Sequence, residues 1–303
     1  MRCGAVDTRL VWDGTAAIRS APMTTEATAP TSDAVLCEIE SGVATITLNR
    51  PERNNGWSGE IENGYFDHLE ACNANPDVRA IVVTGAGKSF CPGADMQMLA
   101  AAGARQDKPA DSAPKDDLIT PTRRPGYLPM LVNKPIIGAI NGACAGVGLV
   151  QAMMFDLRFA AKGAKFTMAF SRRGLIAEYG SSWLLPRLVG QSRALDLLMS
   201  SRVILAEEAL EMGLVNRVFE RDELLDEAKA YAHDVAVNCC PASLAVMKQQ
   251  VIADYNRTLP DAVAAADQLM VASLKRPDFK EGVSSFLERR PPSFSPFTGS
   301  IQP

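Results

Sequence analysis

The 303-residue sequence predicts an α/β fold in which parallel strands wind as a ββα spiral and a helical C-terminal region follows. Three observations predict it. Residues 34–84 read strand, helix, strand, with the apolar period switching from two to three or four and back. Two buried-strand runs, near residues 78–84 and 135–140, each lead into a glycine-containing turn, and a short helix and two more strands follow the second. Beyond residue 181 the periodicity is mostly helical.

Residues 34–40 and 43–49 are β-rich runs split by Ser41-Gly42, a hairpin signal. Pro51 stops the second run. Ser58 opens a helix whose apolar positions Ile61, Tyr65, Leu69 and Cys72 recur every three or four residues. Residues 78–84 form the next strand and close a βαβ unit. Strands are then expected over 135–140, 156–160 and 164–169, with a short helix over 146–154 between the first two. Residues 100–124 hold Gly, Pro, Asp, Lys and Ser with little periodicity, and the loop-length prior favours a lid beside a site over a plain surface loop. Helices are expected over 191–200, 206–212 (with Gly213 as cap), 221–237, 241–255, 259–274 and 277–290, and a strand over 214–219.

Composition excludes several classes of function. With 31 Lys and Arg against 35 Asp and Glu and no basic block, no nucleic-acid groove is expected. Only two histidines occur, His68 on the polar face of the first helix and His233 on the helix over 221–237. A metal site is therefore not expected. The seven cysteines include one adjacent pair and no C-x-x-C, which fits a reducing cytosol and predicts a cytoplasmic protein. No apolar run reaches the roughly 18 residues of a membrane span. Residues 1–32 contain no apolar h-region and read as a disordered extension, with Met23 as a second plausible start.

Two turns could carry chemistry. In Ser89-Phe90-Cys91-Pro92-Gly93-Ala94-Asp95-Met96, Pro92 fixes one φ and Gly93 frees the next, so the Ala94 amide can point outward. Asn141-Gly142-Ala143-Cys144-Ala145-Gly146-Val147-Gly148 presents amides at a helix N-terminus, where developing negative charge is favoured. Each alone is compatible with a plain tight turn. Neither fits the phosphate-cradling patterns G-x-x-x-x-G-K-[ST] or G-x-G-x-x-G with its later acidic residue.

Together these segments resemble the enoyl-CoA hydratase/isomerase (crotonase) superfamily. The resemblance rests on FCPGADM at 90–96 and KPIIGAINGACAGVGLVQAMMFDLRFA at 134–160. ITLNRPERNN at 46–55, AEEALEMGLVNRVF at 206–219 and EGVSSFLERR at 281–290 extend it. It implies a crotonase-like spiral core over 33–220 and a helical region over 221–303 that packs on neighbours as a homotrimer or homohexamer. An acyl-CoA partner is implied, with coenzyme A part of the substrate and no separate cofactor. It also implies that the Ala94 and Val147 amides form an oxyanion hole for a thioester enolate, and that Arg53, Asn55, Asp95, Met96 and Gly146 contact the CoA.

The reaction is not fixed by that resemblance. Typical hydratases carry two glutamates where this chain has Val150 and Phe170, and neither can move a proton. Glu178, in LIAEYGSS, stands where isomerases resembling the peroxisomal 3-enoyl to 2-enoyl-CoA type carry their single glutamate. Its apolar setting is expected to raise its pKa. The competing role for Glu178 is to cap the next helix or to pair with Arg172, Arg173 or Arg187. Cys91 and Cys144 are expected as packing residues, Trp183 as core, and Arg289 and Arg290 as a solvated helix end. The expected function is a double-bond shift in an enoyl-CoA, with a 2-enoyl-CoA hydratase and an acyl-CoA-binding pseudoenzyme as rivals.

Overall fold

A computed structural model describes residues 32–96, 100 and 124–298. The expected disordered extension and the expected lid over 100–124 therefore lie outside the described residues, apart from their ends. Strands β1 (Val35–Glu40) and β2 (Val43–Leu48) form the hairpin. Ser41 and Gly42 both adopt positive φ, 49° and 83°, as a two-residue turn matched to strand twist demands. Helix α1 (Gly59–Ala74) starts at Ser58, whose side chain accepts from the Ile61 amide, and buries Ile61, Tyr65, Phe66, Leu69 and Cys72. His68 is not on a free polar face as expected. It is half-buried against β1, with Nε2 3.2 Å from the Val35 carbonyl.

The strands β3 (Ala80–Gly85), β5 (Ile136–Ile140) and β7 (Leu157–Ala161) are almost wholly buried, as parallel strands covered on both faces must be. With β1, β2 and β10 (Arg217–Phe219) they form a six-stranded sheet in the order β1-β2-β3-β5-β7-β10, parallel except for the hairpin. Each central strand is followed by a short one in a second sheet. These are β4 (Ser89–Cys91), β6 (Ala143–Ala145) and β8 (Lys165–Thr167), which with β9 (Ile204–Leu205) run in the order β4-β6-β8-β9. Two sheets climbed together in this way are the spiral that the sequence predicts. The three-residue strands β4 and β6 were legible only as turns, because three residues carry no period.

The helices are α2 (Leu128–Leu131), α3 (Val147–Met153), α4 (Ser181–Val189), α5 (Gln191–Ser200) and α6 (Ala206–Met212). After β10 come α7 (Leu224–Asn238), α8 (Pro241–Asp254), α9 (Leu259–Leu274) and α10 (Pro277–Glu288). Here the expected boundary at residue 220 is corrected. Helix α7 packs on the main sheet through Leu224, Ala228, Ala232 and Ala236, all buried and spaced four residues apart, so it belongs to the core. The small alanines let the helix approach the strands closely. By contrast, α9 buries no residue and α10 buries only Ser285.

Candidate active site

The two glycine-containing turns sit side by side because β4 runs parallel to β6, pairing Ser89 with Ala143 and Cys91 with Cys144. Their closeness depends on missing side chains. A Cβ on Gly148 would stand 2.3 Å from the Cys91 carbonyl oxygen, so the first turn of α3 can lie on the end of β4 only as glycine. Gly93, at φ 106°, would place a Cβ 3.2 Å from the Ala145 carbonyl oxygen and 3.8 Å from Gly146 Cα. Gly146, at φ 50°, turns the chain from β6 into α3.

Trp57 fixes the direction of the first turn. Its amide donates to Gly93 O at 2.8 Å and its carbonyl accepts from Asp95 N at 2.9 Å, a parallel bridge opposite Ala94. In that pattern the N–H of Ala94 itself faces away from Trp57. Val147 is the first residue of α3, where an amide has no partner within the helix. Neither amide donates to a backbone or side-chain acceptor among the described residues.

The expected CoA contacts differ in accessibility. Asn55 is fully buried. Its side chain accepts from Arg50 N (2.8 Å) and donates to Ala86 O (2.9 Å) and Ser89 O (2.8 Å). That corrects the expectation, since a residue so enclosed braces loops and cannot touch a ligand. Arg53 and Asp95 face each other, with Arg53 Nη2 at 2.8 Å and 2.9 Å from the two carboxylate oxygens. Asp95 thus holds the Arg53 turn against the Ala94 turn. Met96 is exposed, and Gly146 lines the junction. Arg290 is held by Glu281 and Glu288.

Glu178 lies on the loop before α4, half-buried, and burial raises its pKa above the ordinary carboxylate value. Its rival roles are not seen among the described residues. Gly180 is the α4 N-cap with no side-chain cap bond. Arg172 and Arg173 donate to the Ser200 and Ala169 carbonyls, and Arg187 donates to Trp183 O while stacking on the Trp183 ring. Trp183 packs against the edge of the core, half-buried, with Arg187 stacked on its ring. Val150 and Phe170 are buried and apolar.

Contacts not legible in the sequence link the loop that carries Glu178 to α3. The ring of its neighbour Tyr179 lies against Gly126, whose carbonyl accepts from Gln151 Nε2 of α3 at 3.0 Å. Burial, and then the charges of Glu62 and Glu178, push the Tyr179 hydroxyl pKa up. Glu62 in turn accepts from Trp57 Nε1 at 2.8 Å, beside the Ala94 bridge. Gln151, Tyr179, Glu62 and Trp57 carry no sequence signal for such roles, because each acts through a partner distant in the chain. Cys91 and Cys144 are buried, which pushes Cys91 up to about 12 and Cys144 well above the usual thiol value, as expected of packing residues. Among the described residues no cluster of three His, Cys, Asp or Glu could hold a metal ion, and no helix is long and apolar enough to cross a membrane.

The sequence model of the enoyl-CoA hydratase/isomerase family matches residues 38–296. The chain is 34 % identical over 268 residues to the 1,2-epoxyphenylacetyl-CoA isomerase of Escherichia coli, covering 86 % of this chain and 98 % of that one. It is also 34 % identical over 265 residues to the (E)-benzylidenesuccinyl-CoA hydratase of Thauera aromatica, with 86 % and 98 % covered. Among solved structures, an enoyl-CoA hydratase of Mycobacterium marinum superposes with a TM-score of 0.62 at 44 % identity, over 75 % of this chain and 100 % of that one. Spiral, paired turns and matching sequence agree: the chain belongs to the enoyl-CoA hydratase/isomerase family and is an acyl-CoA enzyme of the crotonase fold.

Proposed function

We propose that this enzyme shifts a 3-enoyl-CoA double bond to the 2-position, with Glu178 as its single acid/base. The thioester oxygen accepts from the Ala94 and Val147 amides. Glu178 takes a proton from C2, the electron pair delocalises through the C3–C4 double bond onto the oxygen, and the protonated Glu178 returns the proton at C4. Hydrogen-bond donors of this kind stabilise a transition-state oxyanion by about 3–4 kcal/mol each. The observation that carries the reading is a Glu178 carboxyl without a hydrogen-bond or ion-pair partner among the described residues and with a raised pKa, while Val150 and Phe170 offer no proton-transfer group. Arg53, Met96 and Gly146 remain the proposed CoA contacts.

One observation favours a second reading, hydration of a 2-enoyl-CoA. The Tyr179 hydroxyl feels the charges of both Glu178 and Glu62, which makes Glu62 the candidate second carboxylate for activating water. Purified enzyme given 3-enoyl-CoA and 2-enoyl-CoA in parallel separates the two. Isomerisation of the first without appreciable hydration of the second is expected. Rapid hydration that Glu62→Gln abolishes would replace the isomerase reading, and binding without turnover would indicate a pseudoenzyme. Glu178→Gln is expected to lower kcat by about 10²–10⁴-fold. Because burial raises the Glu178 pKa, the basic form is lost as pH falls through a value above the ordinary glutamate pKa. The acid limb of kcat should therefore lie above that value, and Glu178→Gln should remove it.

The nearly unburied α9 and α10 carry exposed Leu259, Val263, Leu274, Phe286 and Leu287, which fits the proposed packing of this region on neighbouring copies in a trimer or hexamer. Light scattering giving a monomer mass would refute it.

A further inference from the structure

Far along α1 from the paired turns, three reactive side chains meet. Cys37 of β1 and Cys72 of α1 have their sulfurs 3.7 Å apart, in contact but not bonded. His68, one helical turn before Cys72, stands close enough to the Cys37 thiol for its charge to act on it. Its Nε2 faces the Val35 carbonyl at 3.2 Å. A carbonyl only accepts, so Nε2 carries the hydrogen, and Nδ1 is the basic nitrogen of the neutral ring. Cys37 is half-buried on the edge strand of the six-stranded sheet, which among the described residues pairs only with β2, whereas Cys72 is buried beneath it.

We propose that Cys37 and Cys72, served by His68, form an oxidisable dithiol that hydroperoxides convert to a disulfide joining β1 to α1. The first step is attack of the Cys37 thiolate on the peroxide, breaking O–O, giving a sulfenic acid on Cys37 and releasing the other oxygen as water or alcohol with the proton held by His68. Next, the Cys72 sulfur attacks that sulfenic acid, its thiol proton leaves with the hydroxyl as water, and the S–S bond closes. Two external thiols, themselves oxidised to a disulfide, reverse it. Closing from 3.7 Å to a bonded distance of about 2.05 Å requires the sulfurs to move together by about 1.7 Å, within reach of small side-chain rotations.

The surrounding charges favour this division of labour. The contact with Cys72 and the nearby His68 lower the Cys37 pKa, against burial and the nearby Glu38 carboxylate. The bond to Cys37 and burial raise Cys72, with Lys134 acting the other way, so Cys72 stays the protonated resolving thiol. Cys37 and Asp67 raise the His68 pKa, opposing its burial. A half-exposed, low-pKa thiol beside a second thiol is the arrangement that reacts with peroxide.

The test uses the reduced full-length chain and hydrogen peroxide, followed by unreduced peptide mapping. The expected product is one linked Cys37–Cys72 peptide lacking two hydrogens, which dithiothreitol restores. In Cys72→Ser, Cys37 should instead gain one oxygen that dimedone traps. In His68→Asn, alkylation of Cys37 by iodoacetamide at pH 7 should slow about tenfold or more. Free Cys37 and Cys72 after peroxide treatment of the wild type, or faster oxidation of Cys239 or Cys240, would overturn the proposal. The peptide map needs no variant, so misfolding of a variant cannot decide the outcome.

Discussion

Replacing Asn55 by Ala separates the two roles that sequence and structure assign to it. The side chain makes three hydrogen bonds, to Arg50 N, Ala86 O and Ser89 O, with no exposure to solvent. At about 1 kcal/mol for each bond, truncation costs about 3 kcal/mol. Asn55 also adopts φ 60°, where asparagine is tolerated and alanine is not, adding about 1 kcal/mol. The sum of about 4 kcal/mol corresponds to a fall in Tm of about 10 °C for a domain of this size. Asn55→Gly, free of the backbone penalty, should recover about 1 kcal/mol of it. Thermal unfolding of both variants, with KM measured well below the new Tm, is the assay. An unchanged Tm with a raised KM for the acyl-CoA would refute the bracing role and restore Asn55 as a substrate contact.

Two further perturbations test the geometry. In Gly148→Ala, a Cβ 2.3 Å from the Cys91 carbonyl oxygen forces α3 and β4 apart, costing about 1–3 kcal/mol of stability. Since the same contact spaces the two turns, kcat should fall by about 10²-fold, measurable by steady-state isomerisation; a folded variant with full activity would show that this spacing does not matter. Lys134 is buried, its Nζ donating to the Cys72 and Asn75 carbonyls, and burial lowers its pKa to about 8. The unfolded chain, with a lysine near 10.4, therefore binds more protons between those values, and stability rises with pH across that window. The neutral amine still has two hydrogens for its two carbonyls. Denaturant titrations at pH 7.5 and 10 should show that rise in the wild type and a smaller one in Lys134→Met.

Local chemistry made much of the fold legible. The Ser41-Gly42 hairpin and the Ser58 cap follow from what each residue does to its own stretch of backbone. Gly213 likewise ends α6 in the expected left-handed conformation at φ 82°. Mostly apolar runs gave β3 and β5, since strands covered on both faces need no alternation. Motifs at 90–96 and 141–148 marked the two turns, and Glu178 stood out as a carboxylate among apolar neighbours.

Tertiary structure alone decided the rest, because those features depend on residues far apart in the chain. Asn55 looked like a ligand contact until folding enclosed it between the turns at Arg50 and Ser89. Helix α7, assigned to the appendage, joined the core because its alanine face meets strands that precede it by sixty residues or more. The surroundings of Tyr179, next to Glu178, arise from Gly126, Gln151 and Glu62, which lie far apart in the chain. The meeting of Cys37 with Cys72 has the same origin: a strand residue and a helix residue separated by 35 positions come into contact only when α1 packs beneath the hairpin. A sequence records which groups are available and how each bends its own backbone. Which of them touch is set by the packing of the whole chain.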